Sequence, residues 1–295
     1  MQFVGLSAFP ITPASEQGVV DVVALEKLLL RLKQAKVNSV GLLGSTGLYA
    51  FLSREEKRRA IEAAVDCLKG EIPIMVSAGA LRTDEAILLA QDAEEAGAGG
   101  ILLAPVSYTP LTEEEVFQHY AAVAQSTSLP VCIYNNPGTT HFTFTSTLLA
   151  RLATLPTVKA LKQPSSDQTD RDYVTYLRSR FADDFAVGFS VDWHAPEALY
   201  AGGDVWFSVL GGLLPNHAMA LTQAALQRDS ERMNQLNAEL QPMWTLFKTL
   251  SSLRVMYCAA DILGICQPAL PRPLLPLRAE DSKKVEMVLR DLLPD

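Results

Sequence analysis

Eight short apolar or β-branched runs, recurring at regular intervals with amphipathic segments between them, predict an α/β fold, a closed (β/α)8 (TIM) barrel. Two further observations support that class. The turn after the first run is Ala8-Phe9-Pro10-Ile11-Thr12-Pro13, with none of the GxGxxG glycines that a doubly wound open sheet would favour there. The alternation then stops near Leu214, and the rest of the chain reads as helix. The expected division is a barrel over residues 1–214, followed by the last barrel helix and a C-terminal three-helix extension over 215–295.

The expected strands, in order, are Val4–Phe9, Ser39–Gly44, Ile72–Ser77, Gly100–Ala104, Val131–Asn135, Val158–Lys162, Phe185–Phe189 and Val205–Val209. Leu25, Leu28, Leu29 and Leu32 form an apolar stripe at helical spacing between the first two. Ser53-Arg-Glu-Glu56 and Thr112-Glu-Glu-Glu115 read as capping boxes that start helices after the second and fourth strands. In the tail, Met233–Leu250, Ser251–Leu263 and Asp281–Leu292 read as helices, with a proline-rich connector, Ala269–Pro276, before the last.

Composition removes several functional classes. Twenty-five Lys and Arg against 33 Asp and Glu leave a net charge of −8, so nucleic acid is not an expected partner. No apolar run approaches the ~18 residues of a membrane span, and Met1–Leu6 lacks the features of a signal peptide. Cys67, Cys132, Cys258 and Cys266 show no CxxC spacing and read as apolar thiols of a reducing, cytoplasmic setting. His119, His141, His194 and His217 are scattered, so neither a metal nor any other cofactor is expected.

In such a barrel, chemistry sits at the C-terminal ends of the strands. The second ends in Gly44-Ser45-Thr46-Gly47, the fifth in Tyr134-Asn135-Asn136-Pro137, the sixth in Leu161-Lys162-Gln163. A lysine buried at a strand end loses its proton more easily and becomes a nucleophile for carbonyl carbon. Lys159, three positions earlier, is expected on the opposite face of the strand. Alone, Lys162 reads equally well as a solvated loop lysine. Tyr134 on the neighbouring strand places a phenol near the amine, although an isolated tyrosine is more often a packed aromatic. Ser45 and Thr46 between glycines offer N–H and hydroxyl donors to a carboxylate, or simply a turn.

These pieces, with Val76-Ser-Ala-Gly79 and Gly202-Gly-Asp-Val-Trp-Phe-Ser-Val209 in order around them, resemble the dihydrodipicolinate synthase/N-acetylneuraminate lyase family over nearly the whole chain. The resemblance implies a tetramer built as a dimer of dimers. It implies an imine between Lys162 and pyruvate or another 2-keto acid, and proton shuttling by Tyr134. Ser45 and Thr46 would hold the keto-acid carboxylate and relay protons, and a main-chain carbonyl at Phe207 would face the site. The departures are specific. Thr139 stands where the synthase branch has an arginine, and Leu48 where the family has an acid. Tyr108 is one place off the synthase branch's second tyrosine, which reaches across from a neighbouring subunit, and is a candidate proton carrier here. Ala160-Leu-Lys-Gln163 is closer to the lyase branch, and Asp192 in the loop after the seventh strand is a candidate substrate contact.

The leading expectation is therefore a class I aldolase, lyase or dehydratase acting on pyruvate or a sugar-derived 2-keto acid. Thr139, Thr140, Asn136 and Asp192 would line a pocket for hydroxylated carbons, and His141 could stand in for the missing arginine. One alternative is a dihydrodipicolinate synthase condensing pyruvate with aspartate semialdehyde. Another is a barrel that binds a keto acid without turnover. A phosphate-substrate barrel would want a Gly-rich site near the last strands, where Gly211-Gly212 reads better as a turn.

Overall fold

The computed structural model describes residues 1–293. Eight parallel strands close into a barrel in sequence order, with each strand paired to its neighbours and the first to the last. They are β1 (Gly5–Ala8), β2 (Ser39–Leu42), β3 (Ile74–Ser77), β4 (Gly100–Leu103), β5 (Val131–Tyr134), β6 (Val158–Pro164), β7 (Ala186–Ser190) and β8 (Val205–Ser208). The helices between them are α1 (Val22–Gln34), α2 (Arg54–Leu68), α3 (Thr83–Glu95), α4 (Glu113–Gln125), α5 (Pro137–Thr140), α6 (Ser146–Leu152), α7 (Arg171–Arg178) and α8 (Ala195–Tyr200). The last barrel helix, α9 (Pro215–Leu226), precedes α10 (Ser230–Glu239), α11 (Gln241–Leu250), α12 (Ser252–Ile262) and α13 (Ala279–Leu292).

The four leucines of the α1 stripe are buried against the barrel wall. Burying each stabilises the fold by about 1.5–3 kcal/mol. Thr112 caps α4 with a complete reciprocal box. The box expected at Ser53 is only half made. Ser53 accepts from the Glu56 N–H, but the Glu56 carboxylate turns away to accept from the Val20 N–H at 2.7 Å. A buried strand-to-helix loop needed that acceptor more than the helix end did. The expected helix Met233–Leu250 is broken at Leu240, where Pro242 in the first turn of α11 removes a backbone donor.

The barrel interior is filled by alternate strand residues, among them Met75, Leu102, Cys132, Ala160 and Phe207. β6 departs from simple alternation. Val131 pairs with Val158 and Cys132 with Ala160, so Lys159 is an extra residue in the register. That bulge sends Lys159 outward to an ion pair with Asp184 at 2.9 Å, and restores the phase that carries Ala160 and Lys162 inward. Gly211-Gly212 is a packed 3-10 turn, and a Cβ on Gly212 would overlap the Phe9 main chain.

Candidate active site

A cavity of about 340 Å³ opens at the C-terminal ends of the strands. Its floor is made by aromatic rings. Phe9, at the end of β1, packs edge-on to Phe207 of β8 with centroids 6.1 Å apart. Gly41 and Gly44 make room for the Phe9 ring, since a Cβ on either would overlap it. Lys162 rises into this apolar well with 8% of its surface exposed. Its Nζ lies 4.0 Å from the Phe9 centroid, 5.0 Å from that of Tyr134 and 5.6 Å from that of Phe207.

Burial drives the Lys162 amine below the ordinary lysine range, and Tyr134, Cys132 and Asp192 oppose it less strongly. The ring faces stabilise the residual cation without giving it a counter-charge. Tyr134 sits opposite Lys162 in the strand register. Burial pushes its phenol up, but the nearby Lys162 charge and hydrogen bonds with Ser45, Thr139 and Asn136 together leave it below the ordinary tyrosine range. The Tyr134 hydroxyl is 3.1 Å from Ser45 Oγ and 3.5 Å from Thr139 Oγ1, and accepts from Asn136 Nδ2 at 3.0 Å. An amine shifted toward its neutral form and a phenol with three hydrogen-bonding neighbours thus share one well lined by rings.

The structure brings Lys162, Tyr134, Ser45, Thr46, Thr139, Asp192 and Phe207 to this one cavity. What Phe207 contributes to the wall is its ring, in addition to any role for its carbonyl. Thr140 is buried beside the cavity, its hydroxyl donating to Asn136 O. Two of the candidates stand apart from the rest. Tyr108 is 97% exposed and does not line the cavity of its own chain. Asp192 lines the cavity with its carboxylate already engaged: it accepts from Trp206 Nε1 at 2.8 Å and from the Val209 and Leu210 N–H groups at 3.0–3.2 Å. It ties the β7 loop to the turn after β8, and burial raises its carboxyl above the ordinary range despite those bonds.

The cavity also contains residues that strand-end reasoning did not select. Trp193 and Ser190 come from the β7 loop, and Phe247, Ser251, Ser252 and Leu253 from the junction of α11 and α12. Val191 and Ser251 line it with φ of 71° and 73°, left-handed values that cost a non-glycine residue about 1–3 kcal/mol. Phe9 was within reach of sequence reasoning, as an inward-phased residue at a strand end. The α11–α12 junction carried no comparable signal.

A buried strand lysine, faced by a phenol at the mouth of a (β/α)8 barrel, defines a class I, Schiff-base-forming lyase. The chain matches the Dihydrodipicolinate synthetase family over residues 2–292, and it belongs to that family. A dihydrodipicolinate synthase structure from Agrobacterium tumefaciens superposes with a TM-score of 0.97 at 53% identity, covering 99% of this chain and 98% of that one. The chloride-inhibited dihydrodipicolinate synthase of Acinetobacter baumannii, solved with pyruvate, gives 0.91 at 28% identity, covering 98% and 99%. The 4-hydroxy-tetrahydrodipicolinate synthase of Neisseria meningitidis is 31% identical over 280 residues, 95% of each chain. No helix among the described residues is long and apolar enough to cross a membrane.

Proposed function

We propose that Lys162 forms an imine with pyruvate and that the resulting enamine reacts with an aldehyde. The observation that carries this reading is the Lys162 amine held in a well of rings beside Tyr134. The free amine attacks the keto carbon, and loss of water leaves a protonated imine. The imine draws electrons from the methyl carbon, whose proton leaves to give the enamine. Tyr134 moves protons at these steps, with Thr139 and Ser45 on its hydroxyl. Ser45 and Thr46 hold the keto-acid carboxylate. Thr46 lines the cavity, and no protein group among the described residues takes its main-chain N–H, which leaves it for an anion.

The names of the relatives favour aspartate semialdehyde as the aldehyde, which makes this chain a dihydrodipicolinate synthase and displaces the sugar-acid expectation from first place. One observation keeps a sugar-derived 2-keto acid as the second reading. Apart from Lys162, the cavity is lined by hydroxyls, an amide, rings, a few aliphatic chains and the Asp192 carboxylate, with no arginine or other lysine to pair a second carboxylate. Steady-state assays with pyruvate and aspartate semialdehyde, beside a panel of deoxy sugar acids, decide between them. A specificity constant of about 10⁴ M⁻¹s⁻¹ or more in the condensation supports the synthase. Turnover confined to the sugar acids supports the second reading.

The family resemblance also supports a homotetramer. On this chain Tyr108, Leu81 and Phe51 lie exposed on loops at the C-terminal end of the barrel, apolar surface suited to a second copy. Light scattering of the purified protein at about four chain masses is the expected result.

A further inference from the structure

The strands that carry the two reacting groups end unequally. β6 runs on past Lys162, pairing Gln163 with Phe189 and Pro164 with Ser190 of β7. β5 has less to hold it. Its pairing with β4 stops at Ile133, so Tyr134 is paired on the β6 side alone, opposite Lys162. The last main-chain bond there runs from the Asn135 N–H to Lys162 O at 2.9 Å. Beyond that bond, side chains hold the two strands together. Alternation turns Asn135 and Gln163 to the outer face of the sheet, and neither lines the cavity. Asn135 Nδ2 donates to Gln163 Oε1 at 2.6 Å, and Gln163 Nε2 donates to the Tyr173 hydroxyl of α7 at 2.9 Å. Asn135 is 5% exposed, and its Oδ1 is buried without a partner among the described residues. The bond to Gln163 is therefore what holds this side chain.

Building on the pyruvate-imine reading, we infer that Gln163 is a positioning residue: bonded to Asn135 on one side and to Tyr173 on the other, it braces the end of β5 and so fixes the Tyr134 hydroxyl against substrate held on Lys162. It acts through Tyr134 and touches no substrate. The amine needs no such brace, because β7 secures β6 two residues beyond it. Loss of the brace should therefore separate two properties of one cavity. How much imine is present at equilibrium depends on the Lys162 amine. How fast the imine becomes an enamine depends on where the phenol sits. In that step the methyl C–H bond breaks, its electron pair forms the new C=C bond, the imine cation is neutralised, and the proton leaves by way of Tyr134 to solvent. A misplacement of about 1 Å can cost such a step 10²-fold.

Pyruvate alone tests this, since enamine formation in D₂O exchanges its methyl protons, which proton NMR follows. Gln163→Met keeps the chain length and removes both bonds. At saturating pyruvate, exchange should slow about 10-fold or more. Borohydride should still fix one pyruvate per chain on Lys162, half-saturating within about 3-fold of the wild-type concentration. Gln163→Glu is the rescue. Its carboxylate accepts from Asn135 Nδ2 and from Tyr173, whose hydroxyl turns to donate, so exchange should return to within about 3-fold of wild type. In the Tyr134→Phe background, adding Gln163→Met should cost less than about 2-fold more, because no hydroxyl is left to misplace. Tyr173→Phe cuts the brace at its α7 end and should also slow exchange without loss of trapping, so the test does not rest on the folding of one variant. Wild-type exchange in Gln163→Met or Tyr173→Phe, no rescue by Gln163→Glu, equal losses of trapping and exchange, or a full additional loss in the Tyr134→Phe background would each overturn the inference. Trapping and exchange both absent in the wild-type protein would instead sink the pyruvate-imine reading, and the brace with it.

Discussion

Lys162 is placed for chemistry by rings rather than by a counter-ion. Its amine sits below its unfolded value because of burial, so at lower pH the folded protein carries an unfavourable buried ammonium. Lys162→Met should therefore raise the melting temperature. The gain should be full below the folded pKa and should vanish as pH rises to the unfolded value of about 10.4. Each 1 kcal/mol would appear as roughly 2–4 °C in a melting scan, and a gain that grows with pH would contradict the burial argument. Tyr134→Phe removes the hydroxyl that Ser45, Thr139 and Asn136 surround. Turnover should fall by about 10²–10⁴ with little loss of pyruvate binding. Thr139→Arg supplies the missing cation. If aspartate semialdehyde is the aldehyde, its specificity constant should rise about 10-fold or more, the weight of a hydrogen bond to a charged group. An unchanged constant would favour the neutral, hydroxylated substrate. Lys162 and Tyr134 were legible in the sequence because parallel strands end where chemistry sits and side chains alternate. Asp192 was not, because its bonds to Trp206, Val209 and Leu210 join residues distant in sequence.

Each strand ends within two residues of its expected end, β6 running on to Pro164. Short apolar runs mark barrel strands well, since both faces of the sheet are covered. The β6 bulge was invisible, yet it decides which lysine faces inward. Simple alternation gave the correct side for Lys159 and Lys162 while missing the extra residue that makes it so. The half-made cap at Ser53 shows the same limit, because local signals do not reveal a distant claimant such as the Val20 N–H. One carboxylate ties the loop between β7 and α8 to the turn after β8. Asp192→Ala would leave the Trp206 indole and two main-chain N–H groups without their acceptor. It should cost about 2 kcal/mol or more in urea denaturation, and a loss under 0.5 kcal/mol, the scale of a bland surface substitution, would mean that the loop does not depend on it.

At the scale of the molecule, the C-terminal helices are more than a tail. Tyr257 of α12 donates to Thr12 O at 3.0 Å, fixing that helix to the loop after β1. Lys248 of α11 lies over the Trp193 ring, 5.2 Å from its centroid. The α11–α12 junction thus closes one side of the cavity, with Ser251 held in an uncommon backbone conformation there. The sequence predicted these helices but not their position over the strand ends, because docking of one layer on another leaves no periodic signal. The barrel supplies the amine and the phenol, and the added layer shapes what reaches them. In the proposed reaction Lys162 is the residue that bonds to the keto carbon. Borohydride reduction in the presence of pyruvate, followed by peptide mass mapping, addresses it directly. The expected result is one reduced pyruvate adduct per chain, located on Lys162 and lost in both Lys162→Ala and Lys162→Arg, since a guanidinium is never a free amine. An adduct on Lys159, or none with the wild-type protein, would contradict it.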